Sequence, residues 1–302
     1  MPPDGTAQDF ELHRRRLTGL AYRMLGSVAE AEDVVQDAWL RWHQAEREAV
    51  RDPGAFLHRI VTRLCLDRLK SARARRETYV GPWLPEPVLD AEALAGSGGP
   101  GSEEWAGDLS FALLLALERL SPLERAAFLL HDVFDLDFAE VAMTLGRGEA
   151  ACRQLAARAR AHLREARRRF TAPPEAGERL AAAFLQAARS GDVAALARLL
   201  AEDAVLYTDG GGRKRAALNP IRGRERIARF YAGLARKGAT ARVTAVRPAR
   251  INGLPGYLAL EADGSLQTVA IEAGEGGITA IYIVGNPDKL GHLMPVVDSG
   301  SA

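Results

Sequence analysis

RQLAARARAHL, Arg153–Leu163, follows the helical spacing of Phe138, Val141, Ala142 and Leu145 and the break Leu145-Gly146-Arg147-Gly148. Gly146 stands where a helix C-terminus favours a residue free to adopt positive φ. The two segments therefore read as helix, tight turn, helix. On a helical wheel Cys152, Leu155, Ala156, Ala159 and Leu163 fall on one side. Arg153, Arg160, Arg164 and Arg168 fall on another, with Gln154 beside them. This is the layout of a helix-turn-helix whose second helix enters a DNA major groove, where arginine serves both phosphates and guanine edges. Taken alone, the helix also fits, less well, a basic amphipathic segment packed on a partner. Upstream, Leu117–Leu130, with the start signal Ser121-Pro122, supplies the preceding helices of a compact bundle.

A second basic helix is expected over Ala55–Arg76, opened by Asp52-Pro53. Leu57, Ile60, Val61, Leu64 and Leu69 form its apolar stripe, while Arg59, Arg63, Arg68, Lys70, Arg73, Arg75 and Arg76 meet only Asp67 before Glu77. So lopsided a charge run points to phosphate contact. Before it lies Val28–Ala45, with Val34, Val35, Ala38, Trp39 and Trp42 on a buried face and Glu32, Asp33, Gln36 and Asp37 on a polar one. An acidic surface would repel DNA, so it suits a protein partner, or else is a solvated stripe.

Arg23-Met24-Leu25-Gly26, then AEDVVQDAWLRW, then PGAFLHRIVTRLCLDRLKSARA (Pro53–Ala74) resemble the second conserved region of extracytoplasmic-function sigma factors. LERLSPLERAAFLLHDVFDLDFAEVAMTLGRGEAACRQLAARARAHL resembles that family's fourth region. The resemblance implies a dissociable promoter-specificity subunit of bacterial RNA polymerase, with promoter DNA and core polymerase as partners. By position, Asp33, Gln36 and Asp37 would contact the clamp helices of the largest polymerase subunit. The stretch Gln44–Gly54 and the next helix, with Arg59, Arg63, Arg68, Lys70 and Arg73, would take the minus-ten element. Arg153, Gln154, Arg158, Arg160 and Arg164 would take the minus-thirty-five element. The implied domains are 6–78 for region 2, 79–108 for a linker and 109–170 for region 4, followed by an extension over 174–302.

Gly81–Asp108 has no Lys or Arg but carries Glu86, Asp90, Glu92, Glu103, Glu104 and Asp108 around a Gly-Ser-Gly-Gly-Pro-Gly run, and reads as a flexible acidic tether. Two DNA modules on one tether add their affinities through effective concentration. Overall, 40 Lys and Arg balance 39 Asp and Glu, so charge on the whole chain decides nothing. No stretch reaches the ~18 apolar residues of a membrane span, and MPPDGTAQDF lacks the apolar core of a signal peptide. No membrane association and a cytoplasmic location are expected. Cys65 and Cys152 fall on apolar helix positions and read as reduced core residues, with no metal site.

Beyond Pro173-Pro174 the character changes. Arg179–Arg189 and Val193–Leu200 read as helices, Ala204–Thr208 as a strand and Gly223–Lys237 as a helix. Ala241–Ile251, Gly256–Glu261, Leu266–Glu272 and Ile278–Val284 read as a meander of antiparallel strands. The fold class expected is multidomain: two all-α domains followed by an α+β cone with a curved antiparallel sheet. The extension resembles the SnoaL-like, NTF2-like cone, whose interior can enclose a small ligand that no residue here identifies.

Trp83-Leu84-Pro85-Glu86-Pro87, Asp209-Gly210-Gly211-Gly212-Arg213 and Asn286-Pro287-Asp288-Lys289-Leu290 resemble signatures of one sigma-factor subgroup bearing this extension. The Arg213 position is more often lysine there. The resemblance implies regulatory contacts at these residues. Singly, each stretch also fits a turn or an extended linker. His292 is the extension's only histidine and lies outside the strands, so no acid/base pair stands out. No catalytic residue and no cofactor are expected. A polymerase-independent helix-turn-helix regulator and a SnoaL-like enzyme are the alternatives.

Overall fold

Three helices open the chain: α1 Gly5–Leu25, α2 Val28–His43 and α3 Pro53–Glu77. The computed structural model describes residues 5–46, 50–89, 108–167, 174–238 and 242–294. Ser27 caps α2 by accepting from the Glu30 amide, the N-cap hydrogen bond expected of a serine there. Phe10, Leu17, Met24, Val34, Trp42 and Leu57 are almost wholly buried between the three helices.

The second helical group comprises α4 Phe111–Glu118, α5 Pro122–Phe128, a π-turn at Leu129–Val133, α6 Phe138–Leu145 and α7 Glu149–Arg167. Capping boxes at Ser121/Glu124 and Asp137/Glu140 start α5 and α6. Gly146 ends α6 with φ of 63°. Cys152, Ala156, Ala159 and Leu163 form the buried side of α7, as the sequence spacing predicts. The helix expected to stop at Leu130 widens instead into the π-turn, which brings Phe134 round toward α1 and α3.

Met1–Glu77 and Ala91–Arg167 make one compact unit. Phe134 sits 5.8 Å from the His58 ring and below the guanidinium groups of Arg16 and Arg23. Arg16 also donates to the Phe134 carbonyl. Arg125, buried in α5, donates to the Met24 carbonyl and to Glu118 at 2.8 Å. Both cysteines are free and buried, and burial pushes the Cys65 thiol up.

His58 gives this unit a pH dependence. Its Nδ1 lies 2.7 Å from the Gly54 carbonyl, and burial, helped by the charges of Arg16 and His13, pushes the imidazole down to about 4. The unfolded chain therefore takes up a proton that the folded chain refuses, between its ordinary pKa near 6.5 and about 4. Stability is retained above that window and lost as pH falls through it, by up to about 3 kcal/mol. Urea melts at pH 7 and pH 5 should differ for the native chain and less for His58→Gln; equal differences would contradict this.

The second unit comprises Thr78–Asp90 and Arg168–Ala302. It contains α8 Pro174–Ser190, α9 Val193–Leu199, β1 Leu200–Asp209, β2 Ile221–Arg222, α10 Arg224–Arg236, β3 Val243–Ile251, β4 Leu254–Glu261, β5 Leu266–Gly274 and β6 Gly277–Val284. The sheet order is β2-β1-β6-β5-β4-β3. β3 to β6 form the expected antiparallel meander, but β1 runs parallel to β6, with Leu206 opposite Ile281. The sheet is therefore mixed, which corrects the all-antiparallel expectation. The cause is the crossover: α10 separates β1 from the meander, which returns its last strand beside β1 in the same direction. Alternation in sequence assigns faces but not partner direction.

One face of the sheet packs on α8, α9 and α10 through Phe184, Leu196, Leu206, Ile227, Tyr231, Tyr257, Ile271 and Ile281. The Phe184 and Tyr231 rings meet edge to face at 5.2 Å. Among the described residues no helix is long and apolar enough to cross a membrane, and no group of three or more His, Cys, Asp or Glu could hold a metal ion.

Candidate polymerase and nucleic-acid surfaces, and a buried ion pair

Helix α2 presents two polar sides. Gln36 lines a surface groove of about 490 Å³ with Arg14, Thr18, Glu32, Val35 and Trp39. Asp33 and Asp37 turn the other way, toward Arg68 of α3, at 3.5 and 3.0 Å. Arg68 also donates to the Glu30 carbonyl. The three polar residues singled out on α2 are thus split by the helix, and Arg68 clips α2 to α3. Arg14 and Thr18 are the members of the groove that sequence reasoning left out; nothing in α1 marked Arg14 as facing α2.

The remaining α3 cations differ among themselves. Lys70 is exposed and paired with Asp67 of its own helix, Arg63 is exposed with its Nε 3.5 Å from the Thr144 carbonyl, and Arg59 is half-buried. The side chain of Arg73 lies outside the described residues, as do Arg168, residues 47–49 of the Gln44–Gly54 stretch and residues 90–107 of the tether.

On α7 the exposed face runs through Ala150, Gln154, Ala157 and Ala161, flanked by Arg153 and Arg164 on one side and Arg158 and His162 on the other. Small residues along the middle let a helix approach a base edge closely, with longer cations at the flanks. Three of the arginines are held by carboxylates: Arg153 by Glu149 at 2.7 Å, Arg158 by Glu124 at 2.7 Å and Arg160 by Asp132 at 2.6 Å. Arg153 also lies over the Phe138 ring at 5.3 Å. Arg160 is half-buried, and its partner Asp132 is delivered by the π-turn, so this pair braces the helix-turn-helix.

In the second unit the three short signatures converge. Asp209, at the end of β1 and wholly buried, accepts from Lys289 Nζ at 2.7 Å and from the Leu84 amide at 2.9 Å. It also accepts from the Tyr79 hydroxyl at 2.6 Å and the Gly211 amide at 3.1 Å. The Lys289 ammonium donates to the Leu84 carbonyl and lies over the Trp83 ring at 4.3 Å and the Tyr79 ring at 4.9 Å. Asn286 donates from Nδ2 to the Tyr79 hydroxyl. Burial, reinforced by Asp209, pushes the Tyr79 phenol up, so it remains a donor.

The glycines are needed for this approach. At Gly211, φ is 57° and a Cβ would stand 2.2 Å from the Asn286 side-chain nitrogen; at Gly210 it would stand 2.2 Å from the Lys214 carbonyl oxygen. Gly212 lies against Val80. Leu290 is buried, whereas Pro287 and Asp288 are exposed, Asp288 making a surface pair with Arg213 at 3.4 Å. Neighbouring Lys214, which sequence reasoning passed over, reaches Asp263 at 2.7 Å.

Residues 78–89, of which 79–89 read in the sequence as linker, form a strap on the cone. Leu84, Pro85, Glu86, Pro87 and Val88 are buried. Val88 exchanges two backbone-directed bonds with Asn252, the left-handed turn residue between β3 and β4, and the Pro87 carbonyl lies 2.8 Å from His292. An Asn-Gly pair is the usual mark of a tight hairpin turn, but nothing in it points to a second use as a clamp.

Sigma-70 region 2 matches residues 10–75, Sigma-70 region 4 matches 110–163 and the SnoaL-like domain matches 181–253. The chain is 40% identical over 294 residues to the ECF RNA polymerase sigma factor SigJ of Mycobacterium tuberculosis, covering 93% of this chain and 92% of that one. It belongs to the extracytoplasmic-function sigma factors. This sigma factor is also 32% identical to the probable ECF RNA polymerase sigma factor SigI of the same species, across 98% of its own length and 99% of the relative's. The crystal structure of SigJ superposes with a TM-score of 0.72 at 36% identity, covering 94% of this sigma factor and 98% of that chain.

Proposed function

We propose that this sigma factor binds core RNA polymerase through the α1–α2 groove and the adjoining acidic side of α2, in the cytoplasm. Gln36, Glu32 and Trp39 offer a partner an amide, a carboxylate and a ring in one concavity, with Asp33 and Asp37 alongside. The α3 cations Arg59, Arg63, Lys70 and Arg73 serve the minus-ten element. Arg68, engaged with both aspartates, positions the polymerase face instead of reading DNA. Gln154, Arg153, Arg158 and Arg164 serve the minus-thirty-five element, and Arg160 keeps their helix in place.

The observation that carries the regulatory part is the strap. Residues 78–89 belong to the segment joining the two promoter modules, and Asp209 and Lys289 hold them on the extension. Docking withdraws these twelve residues from the connection, which sets how far apart the modules reach. Trp83, Gly210 to Arg213 and Asn286 to Leu290 act in that capacity. In this reading the extension works as a scaffold; its interior phenols, Tyr231 and Tyr257, are pushed up by burial.

In vitro transcription with core enzyme tests the assignment. The full chain should co-purify with core and direct initiation at a specific promoter, and failure of both would refute it. Arg158→Ala or Gln154→Ala should cost about 1–3 kcal/mol on a cognate template if the side chain reads a base. A loss of equal size on random DNA would assign that residue to phosphate.

A further inference from the structure

We infer that α10 and its flanks form a third nucleic-acid surface, which binds the phosphate backbone of duplex DNA. Residues 222–237 hold Arg222, Arg224, Arg226, Arg229, Arg236 and Lys237 against Glu225 alone. In a chain whose charges otherwise balance, this excess is local. Ile227, Ala228 and Tyr231 face the core. At 100° per residue Arg226, Arg229, Arg236 and Lys237 project on the opposite side, and all four are exposed.

Three further features select the occupant. Whereas Arg153, Arg158 and Arg160 of α7 pair with carboxylates, Arg226, Arg229, Arg236 and Lys237 make no ion pair among the described residues; the only bond of a side chain in this set goes from Arg229 to the Glu225 carbonyl. Arg226 to Arg236 spans about 15 Å of helix, and duplex DNA presents one charge per about 1.7 Å of axis, so the row matches a run of phosphates. Gly233 lies midway along the same face, and a Cβ there would meet nothing within 4 Å, which leaves room for a sugar-phosphate ridge. A lipid-surface helix would instead carry large apolar residues beside its cations; here Phe230 and Leu234 pack against the core. Duplex DNA is the polyanion this family meets, and a contact from the extension joins the others intramolecularly.

The test titrates a random-sequence duplex with the full chain, its R226Q/R229Q variant and R179Q/R189Q, which removes two exposed cations elsewhere in the same unit. Each phosphate contact contributes nearly one to the slope of log affinity against log salt. R226Q/R229Q should lower that slope by about two, so its deficit is about tenfold larger at 50 mM than at 200 mM salt. R179Q/R189Q should change the slope by less than one. Co-purification with core polymerase, read separately, should be unaffected, which keeps failure here distinct from failure of the polymerase assignment. Equal slopes for the two variants would overturn the inference. So would a native chain that does not bind the duplex, or a loss confined to phosphatidylserine vesicles with DNA binding intact.

Discussion

Lys289→Ala should free the strap from the extension and cost about 3–5 kcal/mol, the usual effect of removing one partner from a buried ion pair. Asp209 would keep three donors, from Tyr79, Leu84 and Gly211, but would lose its only cation among the described residues. The double variant Asp209→Asn/Lys289→Met should recover part of the loss, because no charge is then left buried alone. Urea melts of the four chains give the coupling, and protease cleavage between residues 78 and 89 reports strap release. At the promoter, the freed segment lengthens the connection, so Lys289→Ala should tolerate altered spacing between the minus-ten and minus-thirty-five elements better than the native chain. Transcription from a series of spacer lengths measures this; the same sharp optimum in both would count against the strap as a ruler.

Arg125→Leu should be of similar size, about 3–5 kcal/mol. The side chain is 3% exposed and joins the α1 C-terminus to α4 and α5 through the Met24 carbonyl and Glu118. Its loss takes one cation away from a half-buried carboxylate and removes a donor to the Met24 carbonyl. Because this bond links the region 2 helices to the region 4 helices, hydrogen exchange should rise together at the ends of α1 and α4. A rise limited to α5 would mean that the bond is only local.

Much of this was legible from residues. The helix-turn-helix followed from Gly146 and the buried spacing of Cys152, Ala156, Ala159 and Leu163, because a helix declares its inner face at every turn. The meander followed from alternation and Gly-containing turns. β2 did not, since two residues have no period. Nor did the parallel pairing of β1 with β6, which is a long-range choice. At the sites, residue type located candidates and packing redistributed them. Arg68, Arg158 and Arg160 stand out in any charge count, and each also meets a carboxylate on another element. Tyr79 and Asn252 carry no charge and drew no notice, although both hold the strap. The strap itself was misleading because its three prolines and the acidic, glycine-rich run that follows it are those of a spacer, while Leu84 and Val88 supply the apolar side chains that bury it.

The bond from Lys289 to Leu84 spans 205 positions, and this has a temporal meaning. Synthesis runs at about 5–20 residues per second, so both promoter modules, complete by Arg167, are made roughly 6–24 s before the lysine that fastens the strap. Every newborn molecule therefore passes through an unfastened period, and messages cut short before the codon for Lys289 would yield polypeptides that never leave it.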